Sequence, residues 1–339
     1  MQDIEPRDRE LLTALQSDLP IVSTPFAFIG QTIDMSEKEV LKRTERLKRD
    51  GAIRQLAFQF DLRGLGYRSC LVAARVPEER VDEAAAVINA HPGVTQNYLR
   101  NNSDYNLWFT IAVSPFSRLG LEKTIDILTA EADCASVHAL PTLKLYKSTA
   151  SDGVETSGEM ELPQTNVTPA EAECVRILQT EIPLQPRPFD VMTRGTSLTP
   201  EEVLTTAREL QKRGQLRGFS AVGPRRKPNF GTTAMGVWIV PAERAEETGL
   251  RLARHRNVSH CYRRPVFDDW PYSIYTTVHG RTVDECESVL LDLSIDSGIE
   301  QRQALFPLRE FKKARIAFFS TDADQWESGR ADARAAAAS

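Results

Sequence analysis

His260, Tyr262 and Arg264 stand at alternate positions and carry the most suggestive chemistry in the chain. Side chains two apart on a strand share a face, so an imidazole, a phenol and a guanidinium would stand side by side. A guanidinium matches both oxygens of a carboxylate, and an imidazole delivers a proton near neutral pH or ligates a metal. Tyr98 and Arg100 form the same pair earlier in the chain, with Gln96 where the later set has His260. Arg263 neighbours Arg264, and alternation lets only one of the two enter a shared site, which favours Arg264. A lone strand histidine is commonly satisfied by a backbone carbonyl, so a structural role for His260 stays open. His279, with Tyr275 four residues earlier on the same face, is a second candidate source of a proton.

The match between the two Tyr–Arg pairs is part of a repeat that runs through the chain. Pro25-Phe26 recurs as Pro188-Phe189, and GAIR (residues 51–54) as GQLR (214–217), both at an offset of 163. VPEER (76–80) recurs as VPAER (240–244) at 164, and Leu143-Lys144 as Leu308-Arg309 at 165. Drifts of one residue are what loop insertions produce.

Each copy must build the elements that carry these residues. In copy one, Ser36 and Glu39 have capping-box spacing, Val40, Leu41, Thr44 and Leu47 mark a helix face, and Gly51 stops it. An apolar run over 52–60 predicts a wing-like hairpin. Alternating strands and helices follow in the order βαββαβ, with residues 137–147 as one last strand. The fold class is therefore α+β, a tandem repeat of a winged helix-turn-helix and a ferredoxin-like sheet domain with both helices on one face. The expected domains are a winged helix at 1–62, a sheet domain at 63–148, a connector at 149–166, a second winged helix at 167–226, a second sheet domain at 227–321 and a flexible tail at 322–339. The bare face of each sheet needs a cover, and the sheet of the other copy is the nearest candidate.

The bulk properties narrow the partners. The formal net charge of −5 provides no large positive field for nucleic acid. Five scattered cysteines without CxxC spacing suggest neither a zinc site nor a disulfide framework and read as reduced thiols of a cytoplasmic protein. No stretch is long enough to span a bilayer.

The winged helix followed by a βαββαβ domain resembles the Lrp/AsnC regulators, twice over. More specifically, NYLRNNSDYNLWFT (97–110) and SHCYRRPVFDDWPYSIYTTVHG (259–280) look like the signature hairpins of the two related subunits of siroheme decarboxylase, here on one chain as in the fused forms of that family. The resemblance implies loss of CO2 from the C12 and C18 acetates of siroheme, giving 12,18-didecarboxysiroheme for haem d1 or alternative haem synthesis. It implies no added cofactor and no dedicated metal site, with a tetrapyrrole as partner in a pocket between the two sheets.

On that reading Tyr98, Arg100, Tyr262 and Arg264, with Arg263 as the alternative, bind substrate carboxylates. His260 gives the proton or serves as an axial ligand to the siroheme iron, and His279 with Tyr275 supplies acid. Asn106 and Trp108 contact the ligand edge, and Trp270, within the aromatic set Tyr105, Phe109, Tyr272 and Tyr275, lines a flat macrocycle. Ordinary core is the competing role for such strand aromatics, and Phe109 should face the helices. Lys144 and Arg309 add carboxylate contacts unless they are simply solvated. His91, His138 and His255, at turns and a strand start, read as structural.

A regulator sensing haem or another small ligand is the rival reading. The DNA-binding half argues against it. Pro20 and Pro25 interrupt the first helix of the helix-turn-helix, and Glu201 and Glu202 open the second copy's recognition helix. A homodimer and contacts with other haem-synthesis proteins are further expected partners.

Overall fold

The computed structural model describes residues 5–17, 19–148, 167–222 and 231–337. The expected connector at 149–166 lies outside the described residues. Copy one runs α1 (Pro6–Gln16), α2 (Pro25–Thr32), α3 (Glu37–Arg49), β1 (Gln55–Phe60), β2 (Arg68–Arg75), α4 (Val81–Asn89), β3 (Val94–Arg100), β4 (Leu107–Val113), α5 (Gly120–Glu131), β5 (Ser136–Leu140) and β6 (Lys144–Ser148). Copy two repeats this with α6 (Pro169–Leu178), α7 (Pro188–Met192), α8 (Pro200–Lys212), β7 (Leu216–Val222), β8 (Thr232–Trp238), α9 (Ala245–Ala253), β9 (Val258–Arg263), β10 (Ile274–Gly280), α10 (Val283–Ser297), β11 (Arg302–Leu305) and β12 (Pro307–Lys313), and ends in α11 (Thr321–Ala337). Two compact units result. One gathers both winged-helix regions and the other both sheet regions.

In the winged-helix unit, Ser36 caps α3 by accepting from the Glu39 amide, and Thr199 with Glu202 forms a full capping box on α8. Pro25, expected to interrupt the first helix of the pair, does not break it, and neither does its copy-two equivalent Pro188. They open α2 and α7, where a missing N–H is harmless. The expected wing hairpin is also absent. QLAFQF contains no turn residue, so it forms one strand, and β1 pairs antiparallel with β7 of the other copy. Three cations on α3 are engaged within the fold: Arg43 binds Asp8 and Glu39, Arg46 binds Asp8, and Lys48 meets Glu181.

Each sheet has the ferredoxin-like antiparallel order and gains a fifth strand from the other copy. The orders are β5-β2-β4-β3-β12 and β11-β8-β10-β9-β6. The single last strand expected over 137–147 is therefore two strands. Pro141 cannot donate to a ladder, the strand breaks there, and β6 continues in the other copy's sheet beside β9. The exchange is sealed by two equivalent lysines. Lys147 on β6 donates to the His255 carbonyl (3.0 Å), and Lys312 on β12 donates to the Asn89 carbonyl (2.8 Å), each at the end of a helix in the opposite copy. His91 and His255 both accept a backbone N–H in tight turns, from Gly93 and Asn257.

The helix side of each sheet is an apolar core. Val72, Leu107, Phe109 and Ile111 pack on α4 and α5, and Val258, Cys261, Ile274 and Val278 pack on α9 and α10. The region expected to be a flexible tail is α11, an alanine-rich segment of high helix propensity. It anchors Trp326 in the copy-one core, and Arg330 pairs with Glu131 at 2.8 Å. No described helix is long and apolar enough to cross a membrane.

Candidate functional site

The two open sheet faces meet, as the bare surfaces required. Ala73, Trp108 and Leu140 of one sheet, with Tyr105 just before β4, pack against Met235, Val237, Tyr275 and Leu305 of the other, with Trp270 from the β9–β10 connection. This corrects the expected pocket between the sheets, because its centre is filled by the protein's own aromatics. Trp108 is almost fully buried, donates Nε1–H to the Tyr105 carbonyl at 2.6 Å, and packs with its ring centroid 5.5 Å from that of Trp270. Trp270 donates to the Tyr275 hydroxyl at 2.7 Å. Both tryptophans therefore serve as core. Tyr275 belongs to the same cluster, and burial raises its phenol well above the usual range, which makes it a poor proton source. Phe109 faces the helices, as predicted.

Beside this core, β3 and β9 present the paired residues. Tyr98 lies opposite Trp108, Tyr262 opposite Tyr275, and His260 opposite Thr277. The two arginines are held in equivalent ways. Arg100 Nη1 donates to the Leu305 carbonyl of the other copy at 3.1 Å, and Arg264 Nη1 donates to the Leu140 carbonyl. The guanidinium of Arg100 lies 5.4 Å from the Tyr98 ring and that of Arg264 lies 4.9 Å from the Tyr262 ring. Among the described residues neither pairs with a carboxylate, and the Nε of each is buried without a partner. Burial pulls the Arg100 guanidinium down to about 10 and lowers that of Arg264. Arg264 is buried and Arg100 half-buried, and a guanidinium nitrogen buried without a partner is costly, so both side chains are poised for an anion.

On the second copy a line of hydrogen bonds leads away from His260. Its Nδ1 lies 2.9 Å from Ser259 Oγ, which is 2.6 Å from His279 Nε2, and His279 Nδ1 is 3.1 Å from Thr233 Oγ1. His260 Nε2 has no partner among the described residues. Burial, with His279 and Lys147 nearby, holds the His260 imidazole below its ordinary value, and burial does the same to His279. His279 thus works with Ser259 and not with Tyr275, from which it is separated along the strand.

Several expected ligands are committed elsewhere. The Asn106 side chain exchanges both hydrogen bonds with the Val76 backbone, at 3.0 and 2.8 Å, and serves the fold. Arg263 alternates with Arg264 and so takes the helix side, next to Lys144 in register. Lys144 pairs with Glu246 of α9 at 2.7 Å, and Arg309 pairs with Asp82 of α4. Both therefore point to the helix layer. Sequence reasoning missed Ser259, Thr233 and the carbonyls of Leu140 and Leu305. It also missed a clasp in which Asp269 accepts from the Tyr105 hydroxyl at 2.6 Å and lies 2.8 Å from His138 Nε2. Asp269 belongs to the copy-two hairpin, and only the fold brings it to copy one.

The geometry can be set beside known proteins. The AsnC-like ligand binding domain family matches residues 64–147 and 229–312, and the siroheme decarboxylase NirDL-like HTH domain family matches 8–54 and 171–217. The chain is 34% identical to the siroheme decarboxylase of Hydrogenobacter thermophilus over 94% of its own length and 96% of that relative. It is 41% identical to the siroheme decarboxylase alpha subunit of Desulfovibrio desulfuricans, over 43% of this chain and 83% of the subunit. The crystal structure of siroheme decarboxylase NirDL in co-complex with an iron-uroporphyrin III analogue superposes with a TM-score of 0.81 at 32% identity, covering 96% of this chain and 99% of that one. The family domains recur in both copies and the single-chain relative is matched along nearly its whole length, so the chain belongs to the siroheme decarboxylase family in its fused form.

Proposed function

We propose that the chain is a carboxy-lyase that removes CO2 from the C12 and C18 acetates of siroheme, yielding 12,18-didecarboxysiroheme for haem d1 or alternative haem synthesis. The observation that carries this reading is the pair of arginines Arg100 and Arg264, each with a buried, unpartnered Nε and no carboxylate partner among the described residues. Siroheme brings eight carboxylates, and a planar guanidinium fork grips a carboxylate in two-point fashion. Each arginine keeps Nε free for that purpose while a carbonyl of the opposite copy fixes its position.

Breaking the carbon–carbon bond leaves an electron pair that the conjugated macrocycle accepts, after which a proton must reach the carbon. No oxidant is needed. His260 supplies that proton from Nε2 in this reading, and the same nitrogen could instead ligate the substrate's iron. Burial lowers the pKa of His260 and so favours the neutral imidazole, in which one ring nitrogen holds the proton and the other accepts a hydrogen bond. The aromatic core beneath the site limits water around the reacting arm.

The proton chemistry belongs to the second copy. Where His260 stands, copy one has Gln96, and its Tyr98 donates to Glu310 of β12 at 3.1 Å. In copy two the β6 residue opposite Tyr262 is the neutral Leu145. Glu310 occupies the Tyr98 phenol and Gln96 supplies no titratable proton, so the first copy serves as a grip. The regulator reading is weakened by α3, whose Arg43 and Arg46 are spent on Asp8.

Anaerobic incubation of the purified chain with siroheme should convert it to a tetrapyrrole lighter by two CO2, resolved by chromatography and mass spectrometry. Siroheme recovered with all its carboxylates would reject the proposal and leave a carrier or sensor.

A further inference from the structure

We infer that Ser259 is a positioning residue that links His279 to His260 as a hydroxyl relay and so resupplies the proton consumed in each decarboxylation. The inference rests on the decarboxylase reading above. A β-bulge makes the geometry. Thr277 pairs with His260 and Val278 with Val258, so Ser259 is the extra residue between two ladder positions. A bulged residue escapes strict alternation, which is how the adjacent Ser259 and His260 side chains come to lie 2.9 Å apart.

Without the bulge, Ser259 would point to the helix layer and His279 would have no route to His260. The groups around His260 are His279 on β10, Lys147 on β6 and Tyr262 on its own strand. Lys147 is held by the His255 carbonyl, which leaves His279 as the acid in the line.

The transfer balances as follows. The substrate's carbon–carbon bond breaks and CO2 leaves. The carbon takes the proton from His260 Nε2, whose N–H electron pair stays on nitrogen. Ser259 Oγ gives its proton to His260 Nδ1 and takes one from protonated His279 Nε2. His279 ends neutral with its remaining proton on Nδ1, beside Thr233, and takes its next proton on Nε2 from solvent. One proton is moved per CO2 lost, and His260, left with its proton on Nδ1, exchanges it with solvent for one on Nε2 before the second acetate reacts.

Copy one has the same bulge without the relay. Thr95 occupies the Ser259 position, Gln96 that of His260, and Ala112 that of His279. Its threonine also shows that a β-branched hydroxyl fits this bulge, which supplies a control. In the anaerobic siroheme assay, Ser259→Ala should keep siroheme affinity within about twofold, by absorbance titration, and lower kcat by roughly tenfold to a hundredfold, as loss of a proton-transfer partner does. Ser259→Thr should restore kcat to within about threefold of the parent, because general acid catalysis needs the hydroxyl and not the serine itself. Wild-type kcat in Ser259→Ala, or no recovery in Ser259→Thr, overturns the relay while the decarboxylase assignment stands. An inactive parent chain overturns both.

Discussion

Arg264→Met is expected to weaken siroheme binding by about two orders of magnitude, the usual result of removing one partner of a buried charge pair, while the ligand-free protein keeps or gains thermal stability. The two effects have opposite signs for one reason. Arg264 is 9% exposed, and among the described residues its guanidinium has a single carbonyl partner, an unpaired Nε and no counter-ion. Burying such a cation costs several kcal/mol, and replacing it with an apolar side chain of similar volume removes that cost. The lost hydrogen bond to Leu140 is worth only about 1 kcal/mol. Absorbance titration and thermal unfolding of the same variant check both signs. A variant that unfolds well below the parent and binds siroheme normally would make Arg264 a structural residue.

His260→Ala is expected to lose turnover by at least a hundredfold, the scale of a positioned general acid, while siroheme affinity changes little because the arginines remain. The spectrum of the complex separates the two roles of Nε2. An unchanged Soret band with lost turnover identifies the proton donor. A shifted band with turnover largely retained identifies an iron ligand. Full activity with an unchanged spectrum would return His260 to an ordinary strand position held by Ser259.

Much of this arrangement could be read from residue patterns. The offset of 163 to 165 between copies aligned Tyr98 with Tyr262 and Arg100 with Arg264, and period-two geometry set each pair on one face, where the fold places them. Which strand completes which sheet could not be read that way. Alternation tells a strand's faces and not its neighbours, so Lys144 and Arg309 were assigned to the site when the exchange of β6 and β12 turns them towards Glu246 and Asp82. Pro141 was the available signal for the break between β5 and β6.

The tryptophans were misassigned for a related reason. Trp108 does lie on an open face, with Trp270 packed on it from the β9–β10 connection, but pattern alone does not say whether an open face meets a ligand or another sheet. Ser259 was hidden because a bulge suspends the periodicity on which the reading relied. In α11, composition suggested fraying, and only packing shows that Trp326 ties the helix to the core.

The account depends on two inward arginines acting as receptors for ligand carboxylates. A crystal structure of this chain with siroheme, prepared without oxygen, tests that directly. The expected result is a macrocycle over the open faces of β3 and β9, with carboxylate oxygens within hydrogen-bonding distance of both Arg100 and Arg264 and a reacting acetate near His260 Nε2. A tetrapyrrole bound elsewhere, or with its carboxylates turned to solvent and both arginines unengaged, would contradict it.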